Sequence, residues 1–400
     1  MTIAIVDSYG SDTIAHDLHV YDQAFGLQPM CGEEGVTCTS GMPRFSQLHL
    51  QGAPATVAQP GSGTHLEDKS AWALEVSLDV EVSHAMAPMA NILLVTTPTA
   101  ETLGVQGFPQ MMDAEQYVID HHLAQVISQS FASAEEAFGS TASLMALRHA
   151  YKSAPAAGVT ILGSSGDGGT ANYTKQPTGQ GGALIPYPTV EWPASDPLVT
   201  GVGGTYLCMD AATGTTVDSS APSGKCPAFP GEREVAWTFS GGGFSHVFGK
   251  PSWQDSLPAG STPIETMRGV PDVAMLASAA TGPLVYLTLP PVGSDVGVAG
   301  WWDIGGTSVA CPAWAGLIAV ADQINGGGLG LINPALYKIG ADPTRYAADF
   351  HDIATGNTNQ DPTTSVPGYA AGVGWDPVTG LGTPDAAVLL PDLVKAVHGQ

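Results

Sequence analysis

Residues 305–322 read GGTSVACPAWAGLIAVAD. Gly305 and Gly306 permit a tight turn, and Ser308 stands before an apolar stretch whose small residues favour a closely packed helix over residues 308–323. Because a helix N-terminus stabilises developing negative charge, a hydroxyl placed there is typical of a serine nucleophile. An ordinary helix-capping serine is the alternative, but the small-residue pattern is much longer than a cap requires. We therefore predict a nucleophile at Ser308.

Residues 72–88 read WALEVSLDVEVSHAMAP and offer acidic partners for that serine. Glu75 and Asp79 are four residues apart, so on a helix they share one face with their Cβ atoms about 5–6 Å apart. Apolar neighbours draw at least one of them inward, and two close carboxyls in a poorly solvated site raise one pKa and can share a proton. The alternative is a solvated acidic helix face with Glu81 as a third member.

Residues 159–173 read VTILGSSGDGGTANY and carry a third acid, Asp167. An apolar strand runs here into a Gly/Ser turn, which brings a polar group to the carboxyl end of the strand. On the pattern alone, a metal-binding loop or a simple turn would also explain this stretch, and the simple turn is favoured. A protonated Asp167 would instead donate a hydrogen bond to an oxyanion, a role that requires low pH or a raised pKa.

Short apolar runs alternate with helix-compatible stretches along the chain. The predicted strands cover residues 2–6, 92–95, 125–128, 159–162 and 198–202, and the predicted helices cover residues 70–87, 134–153 and 308–323. This alternation predicts an α/β fold with a mainly parallel central sheet and helices on both faces. The active site of such a fold lies at the carboxyl ends of the strands. Gly and Pro are dispersed rather than collected in a linker, so we expect one large domain over residues 1–400.

The 400 residues include 37 Asp plus Glu and 12 Lys plus Arg, a formal net charge of −25 at pH 7. No basic surface is available to replace phosphate counterions, so nucleic acid is excluded as a partner, and an anionic membrane surface is disfavoured. A sequence pI near 4.4 indicates acid tolerance, or merely an ordinary acidic surface that keeps the chain soluble. No apolar run approaches the roughly 18 residues that span a membrane, and no signal peptide is visible.

The five cysteines indicate an oxidising compartment. Cys31 and Cys38 bracket a short Gly-rich loop, and Cys208 and Cys226 flank a polar insert, so both pairs suit surface disulfides of a secreted protein, although spacing leaves other pairings open. Cys311 is then unpaired. It follows Ser308 by three residues on the predicted helix, and a buried, alanine-like cysteine explains it better than a second nucleophile does.

Together these motifs resemble those of the sedolisins, or serine-carboxyl peptidases, which are acid-acting relatives of subtilisin. The resemblance is carried in order by IAIVDSYG, WALEVSLDVEVSHAMAP, VISQSFASAEE, LGSSGDGG, VTGVGGTYL, EVAWTFSGGGFSHVFGKPSWQ, RGVPDVA, GGTSVACPAWAG and GVGWDPVTGLGTP, which extend over nearly the whole chain. It implies a subtilisin-like fold in a single large domain with a C-terminal calcium loop.

The resemblance assigns a role to each candidate. Ser308 is implied to be the nucleophile and Glu75 its general base. Asp79 is implied to orient Glu75, and Asp167 to stabilise the oxyanion. A glutamate base with an unperturbed pKa of about 4.3 remains usable in acid, where histidine is already protonated. The implied activity is that of an acid-acting endopeptidase that cleaves polypeptides through an acyl-enzyme.

Other activities remain open. A tripeptidyl peptidase of the same family is one alternative, and a catalytically silent binding protein on the same scaffold is another. A glycosidase with paired carboxylates is disfavoured, because such enzymes hold the two groups about 5–9.5 Å apart across a sugar cleft, whereas Glu75 and Asp79 share one helix face.

Residues 349–357, DFHDIATGN, and residues 371–377, AGVGWDP, resemble the calcium loop of the family. The ligands implied for one structural Ca²⁺ are the carboxylates of Asp352 and Asp376 with the backbone carbonyls of Ile353, Gly372 and Gly374. Hard oxygen ligands of this kind suit Ca²⁺ rather than Zn²⁺. Without the resemblance, a cluster of Asp/Gly turns is the preferred explanation.

The resemblance also implies substrate contacts at Ser130, Ala132 and Gly166. Ser130-Phe131-Ala132 stands where the family often has a glycine, so the extra methyl group leaves subsite specificity open. A second departure is Gly305, where many members have serine. Family precursors carry an amino-terminal propeptide, which we expect in the precursor of this chain, and we expect the mature protein to be a monomer.

Overall fold

The computed structural model describes residues 1–50, 63–101, 107–174, 182–208, 232–291, 297–354 and 358–400, and of residues 63–69 it describes only the helix backbone. The strands are β1 (Thr2–Ser8), β2 (Phe45–His49), β3 (Asn91–Thr97), β4 (Val126–Gln129), β5 (Ser133–Ala134), β6 (Thr160–Ser164), β7 (Glu191–Trp192), β8 (Thr200–Leu207), β9 (Glu234–Ala236), β10 (Gly243–Gly249), β11 (Met267–Val270), β12 (Val273–Leu276), β13 (Leu284–Leu289), β14 (Val298–Asp303), β15 (Phe350–His351) and β16 (Thr383–Pro384). The α-helices are α1 (Ile14–Phe25), α2 (Gly63–Met86), α3 (Phe108–Asp120), α4 (Thr141–Ala146), α5 (His149–Ser153), α6 (Thr307–Asn325), α7 (Asn333–Gly340), α8 (Pro343–Asp349) and α9 (Ala386–Val397).

A central sheet organises the described part of the chain. Its strands follow the order β12, β8, β6, β4, β1, β3, β2, and all of these neighbours are parallel, while β9 pairs antiparallel with β8. Parallel strands bring their carboxyl ends to one edge of a sheet. The predicted parallel sheet is therefore confirmed, and each of the five predicted strands overlaps one of its members.

Helices cover both faces of this sheet. Ile3 and Ile5 of β1 pack into a core with Trp314 of α6, whereas Ala4 and Val6 pack into a second core with residues such as Phe108 of α3. This alternation follows from the two-residue period of a strand. The expectation of an α/β fold with helices on both faces is correct.

The predicted helix over residues 134–153 is wrong. Residues 133–134 form β5 and pair with β7, a short 3-10 helix covers Glu135–Phe138, and α4 and α5 follow as separate pieces. Gly139 adopts a left-handed conformation (φ 69°), and the Ser140 hydroxyl accepts a hydrogen bond from the Ser143 N–H. A left-handed glycine followed by a capping serine ends one helix and starts another, so apolar content alone misled the prediction.

The cysteine predictions are partly confirmed. Cys31 and Cys38 form a disulfide, and Cys208 is disulfide-bonded, while its predicted partner Cys226 lies outside the described residues. None of the helices that the structure describes combines the length and the hydropathy needed to cross a membrane.

Candidate active site

Close packing of α2 against α6 brings the predicted base and nucleophile together. A Cβ atom at Gly316 of α6 would lie 2.5 Å from the Cβ of Met86, at the end of α2, so only glycine allows this approach. The Ser83 hydroxyl of α2 also donates to the Pro312 carbonyl of α6 at 3.3 Å. Glu75 on α2 consequently faces Ser308 in the first turn of α6, and the Ser308 hydroxyl is its hydrogen-bond partner.

Asp167 lies against the N-terminus of α6, next to Ser308. Its Oδ1 accepts hydrogen bonds from the Thr307 N–H at 2.7 Å and from the Thr307 hydroxyl at 2.9 Å. Its Oδ2 lies beside Gly306, where φ is +132° and an added Cβ would be 2.7 Å from that oxygen. Gly306 is thus required both by its backbone conformation and by the closeness of the Asp167 carboxyl.

Gly305 is explained by a different neighbour. A Cβ atom at this position would lie 2.4 Å from the backbone N of Ala279 and 2.7 Å from the carbonyl O of Ala277. The segment over residues 277–279 therefore occupies the space of a side chain. This local packing explains the glycine at position 305, where many family members have serine.

Desolvation dominates the electrostatics of Glu75. The pKa of this carboxyl is raised to about 8: burial is the largest cause, the negative charges of Asp167 and Glu101 act in the same direction, and hydrogen bonding to Ser308 and Ser130 opposes them. For Asp167, which lies at an open cleft, loss of solvent around the carboxyl raises the pKa and the two Thr307 hydrogen bonds lower it. Both carboxyls therefore hold protons at a higher pH than free side chains do.

Asp79 is wholly buried behind Glu75. Its Oδ1 accepts a hydrogen bond from the Ser130 hydroxyl at 2.9 Å, and its Oδ2 has no hydrogen-bond partner among the described residues. Burial raises the pKa of Asp79 well above its usual range, and repulsion from Asp7 and Glu75 adds to the effect. Asp79 is therefore a second buried acid close to the predicted base Glu75.

Two further acids complete what we call the carboxyl cluster: Asp7, Glu75, Asp79 and Glu101. Asp7, at the end of β1, is wholly buried, and neither of its carboxylate oxygens has a partner in the described part of the chain. Burial raises the pKa of Asp7 well above its usual range, and repulsion from Glu75 and Glu101 contributes. Such close acids cannot all ionise together, so the cluster retains protons.

A cavity of about 430 Å³ opens beside Ser308. Asp167 lines it, and so do all three predicted substrate-binding residues, Ser130, Ala132 and Gly166. The predicted substrate contacts therefore lie around one opening together with Ser308 and Asp167, whereas Asp79 does not line it. The sequence analysis missed Asp7, Glu101 and Glu191, and only Asp7 had a usable signal, as an acid at the end of an apolar strand.

Cys311 has no nucleophilic character. It is free and wholly buried, and its Sγ lies 3.5 Å from both the Ser128 hydroxyl and the Gln129 carbonyl O. Burial raises the pKa of its thiol to about 12. The prediction of a buried, unpaired cysteine is confirmed.

The two predicted calcium carboxylates converge on one short segment. The Asp352 carboxylate accepts a hydrogen bond from the Gly374 N–H at 3.0 Å, and Asp376 Oδ2 accepts one from the Gly372 N–H at 3.2 Å. Asp376 is buried, and burial raises its pKa to about 7. Two acids gathered around one turn fit a hard cation that would balance their charge.

Side chains alone do not form a metal site here. No group of three or more His, Cys, Asp or Glu side chains among the described residues is arranged to hold a metal ion. A cation bound between Asp352 and Asp376 would need main-chain oxygens as well. The predicted carbonyls of Ile353, Gly372 and Gly374 belong to the same segments.

Comparison with known proteins gives relatives in both sequence and structure, whereas no protein-family model matches the chain. The chain is 33% identical to kumamolisin from Bacillus sp. (strain MN-32) over 331 residues, which cover 80% of this chain and 51% of that protein. It is 29% identical to tripeptidyl-peptidase 1 from Homo sapiens over 342 residues, with coverage of 80% and 52%. The chain thus spans about half the length of the curated relatives it matches.

A solved structure resembles the whole fold. It is Pseudomonas sedolisin, a serine-carboxyl proteinase, in complex with two molecules of pseudo-iodotyrostatin. The TM-score is 0.69 at 26% sequence identity, and the match covers 98% of this chain and 91% of that one. With the ordered motifs, the parallel sheet and the relatives above, this match supports one conclusion: the chain belongs to the sedolisin family of serine-carboxyl peptidases.

Proposed function

We propose that this protein is an acid-acting serine-carboxyl endopeptidase that hydrolyses peptide bonds through an acyl-enzyme on Ser308. The observation that carries the proposal is that Ser308 and Asp167 line one cavity while Glu75 is hydrogen-bonded to the Ser308 hydroxyl. One hydroxyl with a basic carboxylate on one side and an acidic carboxyl on the other can perform acyl transfer.

In the first step, ionised Glu75 takes the proton of the Ser308 hydroxyl while the oxygen attacks the carbonyl carbon of the substrate. The carbonyl oxygen becomes an oxyanion. Thr307 already donates two hydrogen bonds to Asp167 Oδ1, so the proton of a neutral Asp167 belongs on Oδ2, from which it donates to the oxyanion. Collapse breaks the C–N bond, and Glu75 returns the proton to the leaving amine.

The second step repeats the same proton transfers with water. Glu75 removes a proton from water, which attacks the acyl-enzyme, and the proton then returns to Ser308 as the carboxylic acid product leaves. Burial raises the pKa of Glu75, which makes the carboxylate a stronger base, and we propose that Asp79 is the group that orients it. The pKa of Asp167 is also raised, which extends its hydrogen-bond-donating form to higher pH.

We propose that the products are internal fragments rather than tripeptides, although the similarity to tripeptidyl-peptidase 1 makes the latter a real alternative. Peptides with a blocked amino terminus separate the two activities, because an exopeptidase needs the free amine. Cleavage of a blocked decapeptide at an internal bond, seen by mass spectrometry and absent with Ser308→Ala, supports an endopeptidase. Cleavage of only the unblocked peptide, three residues from its start, would establish the tripeptidyl activity. Cleavage of neither would favour a silent binding protein.

We further propose one structural Ca²⁺ bound by Asp352 and Asp376 with the main-chain carbonyls of Ile353, Gly372 and Gly374. When bound, the ion would supply positive charge to two acids that accept hydrogen bonds from the same short segment. Asp352 follows β15 and Asp376 lies in the segment before β16. An ion bound by both would hold these two parts of the C-terminal loop together rather than take part in peptide hydrolysis. Its removal should therefore lower stability more than the intrinsic rate.

The setting of the enzyme is also a proposal. The Cys31–Cys38 disulfide supports a secreted protein, because such bonds persist in oxidising compartments. Three expectations remain: a monomer, one domain over residues 1–400, and a propeptide in the precursor. Size-exclusion chromatography with light scattering tests the first of these directly.

A further inference from the structure

Thr307, the residue before the nucleophile, carries a hydroxyl that contacts both Asp167 and the turn that precedes Asp167. Thr307 is the first residue of α6 and is only 1% exposed. Its Oγ1 lies 2.9 Å from Asp167 Oδ1 and 3.1 Å from the backbone N of Gly166. The contact with Gly166 has no part in the proposed reaction, but it gives the hydroxyl a fixed direction.

The direction of the hydroxyl follows from its two partners. A backbone N–H can only donate, so Thr307 Oγ1 accepts from Gly166 and its single hydrogen remains for Asp167 Oδ1. The Thr307 N–H donates to the same carboxyl oxygen at 2.7 Å. Two donors at Oδ1 leave Oδ2 to carry the proton of the neutral acid. The hydroxyl therefore holds both the orientation of the Asp167 carboxyl and the position of its proton.

The turn at Gly166 is a rigid support for these hydrogen bonds. The Gly166 carbonyl accepts from the Gly241 N–H at 2.8 Å, and the Ser165 N–H donates to the Val202 carbonyl, in β8, at 2.9 Å. The Gly166 N–H donates to Thr307, so it is bonded within the protein. Because the backbone of this turn is fixed on both sides, the position of Gly166 determines the position of the Thr307 hydroxyl.

Hydrogen bonding to Thr307 also affects the pH at which Asp167 ionises. Burial raises the pKa of Asp167, and the hydrogen bonds from the Thr307 N–H and hydroxyl lower it. The hydroxyl thus stabilises the ionised carboxyl, so its loss should let Asp167 keep its proton to higher pH. The same loss leaves the carboxyl less well oriented. Easier protonation combined with poorer orientation is not expected from general damage to the site.

The other ionisable groups near Asp167 stay in place when Thr307 is changed. The negative charge of Asp167 raises the pKa of Glu75, on α2. None of the described residues that line the cavity with Asp167 is Lys, Arg or His, and its other ionisable side chains are Glu101, Tyr173, Glu191 and Asp361. A change in the titration of Asp167 after substitution of Thr307 therefore reports the lost hydroxyl.

We propose that Thr307 is a positioning residue for the oxyanion acid: its hydroxyl transmits the fixed position of Gly166 to Asp167, so that Oδ2 points at the oxyanion. This inference rests on the proposed peptidase function and identifies the group that sets the upper pH limit of that activity. Without the hydroxyl, turnover falls while activity extends to higher pH.

Two substitutions separate the hydroxyl of Thr307 from its methyl group. Thr307→Val keeps the shape and removes the hydroxyl, whereas Thr307→Ser keeps the hydroxyl and removes the methyl group, which points toward Gly204 of β8. Thr307→Val should lower kcat for a blocked peptide roughly tenfold, move the alkaline limb of the pH profile to higher pH and leave the acid limb in place. Thr307→Ser should restore the alkaline limb and most of kcat.

Carbon-13 NMR follows Asp167 directly and requires no turnover. In Ser308→Ala protein whose aspartates carry carbon-13 at the side-chain carboxyl, the Asp167 signal is the one that Asp167→Asn removes. Its titration midpoint should lie at higher pH with Thr307→Val than with Thr307→Ser or with the unchanged threonine. Thr307→Ala removes the hydroxyl with less bulk, and it must give the same rise if Thr307→Val does not fold.

Equal midpoints with Thr307→Val and with the unchanged threonine would overturn the proposal, and so would an equal rise with Thr307→Ser. A fall in kcat with no movement of the alkaline limb would show general damage to the site and would also refute it. Failure of the wild type to cleave casein would refute the peptidase proposal alone, because the NMR midpoints still decide the role of Thr307.

Discussion

A single substitution at Glu115, in α3, tests how buried acids make the stability of this protein depend on pH. Glu115 is wholly buried, and neither carboxylate oxygen has a hydrogen-bond partner among the described residues. Burial alone raises its pKa well above the usual range. In the unfolded chain the same group ionises near pH 4.3. Below that pH the folded and the unfolded protein both keep Glu115 protonated. Between that pH and the raised folded pKa, only the unfolded protein releases the Glu115 proton.

The sign and size of the effect follow from linkage. Because the folded pKa is raised, stability is complete in acid and is lost as the pH rises from the unfolded toward the folded pKa. Each pH unit in that window removes about 1.4 kcal/mol from the free energy of unfolding per such group. Glu115→Gln cannot ionise, so the wild type should lose stability relative to this variant by about 1.4 kcal/mol per pH unit.

Urea unfolding at pH 4, 5 and 6 measures this slope, with Ser308→Ala as the parent protein to prevent self-digestion. Asp120→Asn is the matched control, since it removes an exposed acid from the same helix whose hydrogen-bond partner is the uncharged Gln116. Its slope should equal that of the parent. Parallel pH dependence for the parent and Glu115→Gln would refute the claim that a buried, protonated Glu115 contributes to acid stability.

Three further predictions concern the site and its support. Gly306→Ala places a Cβ atom 2.7 Å from Asp167 Oδ2, at a residue whose φ is +132°. The backbone strain is about 1–3 kcal/mol. Displacement of Asp167, the acid proposed to stabilise the oxyanion, should lower kcat by about a hundredfold. Unchanged turnover would contradict that role. Cys311→Ala should keep kcat within about twofold, because its thiol is buried and protonated; a large loss of kcat would make the thiol catalytic. Excess chelator should lower the melting temperature of the wild type but not that of Asp376→Asn, whereas an unchanged wild-type value would remove the calcium proposal.

The sequence predicts the fold well where local pattern and tertiary packing agree. The alternation Ile3, Ala4, Ile5, Val6 already divides the side chains of β1 between two cores, and the structure places them so. The stretch over residues 134–153 shows the limit. Its composition favours a helix, but pairing of Ala134 with Glu191, more than fifty residues away, takes its first residues into a strand.

The same limit applies to the site. Ser308, Glu75 and Asp167 each lie in a motif with a chemical reason of its own, so their convergence could be expected from the family resemblance. Glu191 could not be found in this way, because only the pairing of β5 with β7 and the missing side chain at Gly166 bring it to the cavity. Long-range contacts of this kind leave no local pattern.

The acidic composition has several physical consequences. Asp7, Glu75, Asp79 and Glu115 are acids whose pKa values are raised by burial, so neutral pH charges them at a cost in stability. Asp352 and Asp376 instead gather around one turn. The surplus of acids therefore links both the stability and the proposed chemistry of this protein to low pH.

The pH profile of casein hydrolysis by the wild type, Ser308→Ala and Glu75→Gln tests the central claim most directly. We expect a bell-shaped profile for the wild type, which rises as the carboxyl cluster loses its first proton, a step that belongs to the cluster as a whole, and falls as Asp167 loses its proton. Ser308→Ala should lower the rate by roughly 10⁴-fold or more, and Glu75→Gln by at least about 10²-fold, at every pH. Hydrolysis by Ser308→Ala at the wild-type rate would contradict the mechanism.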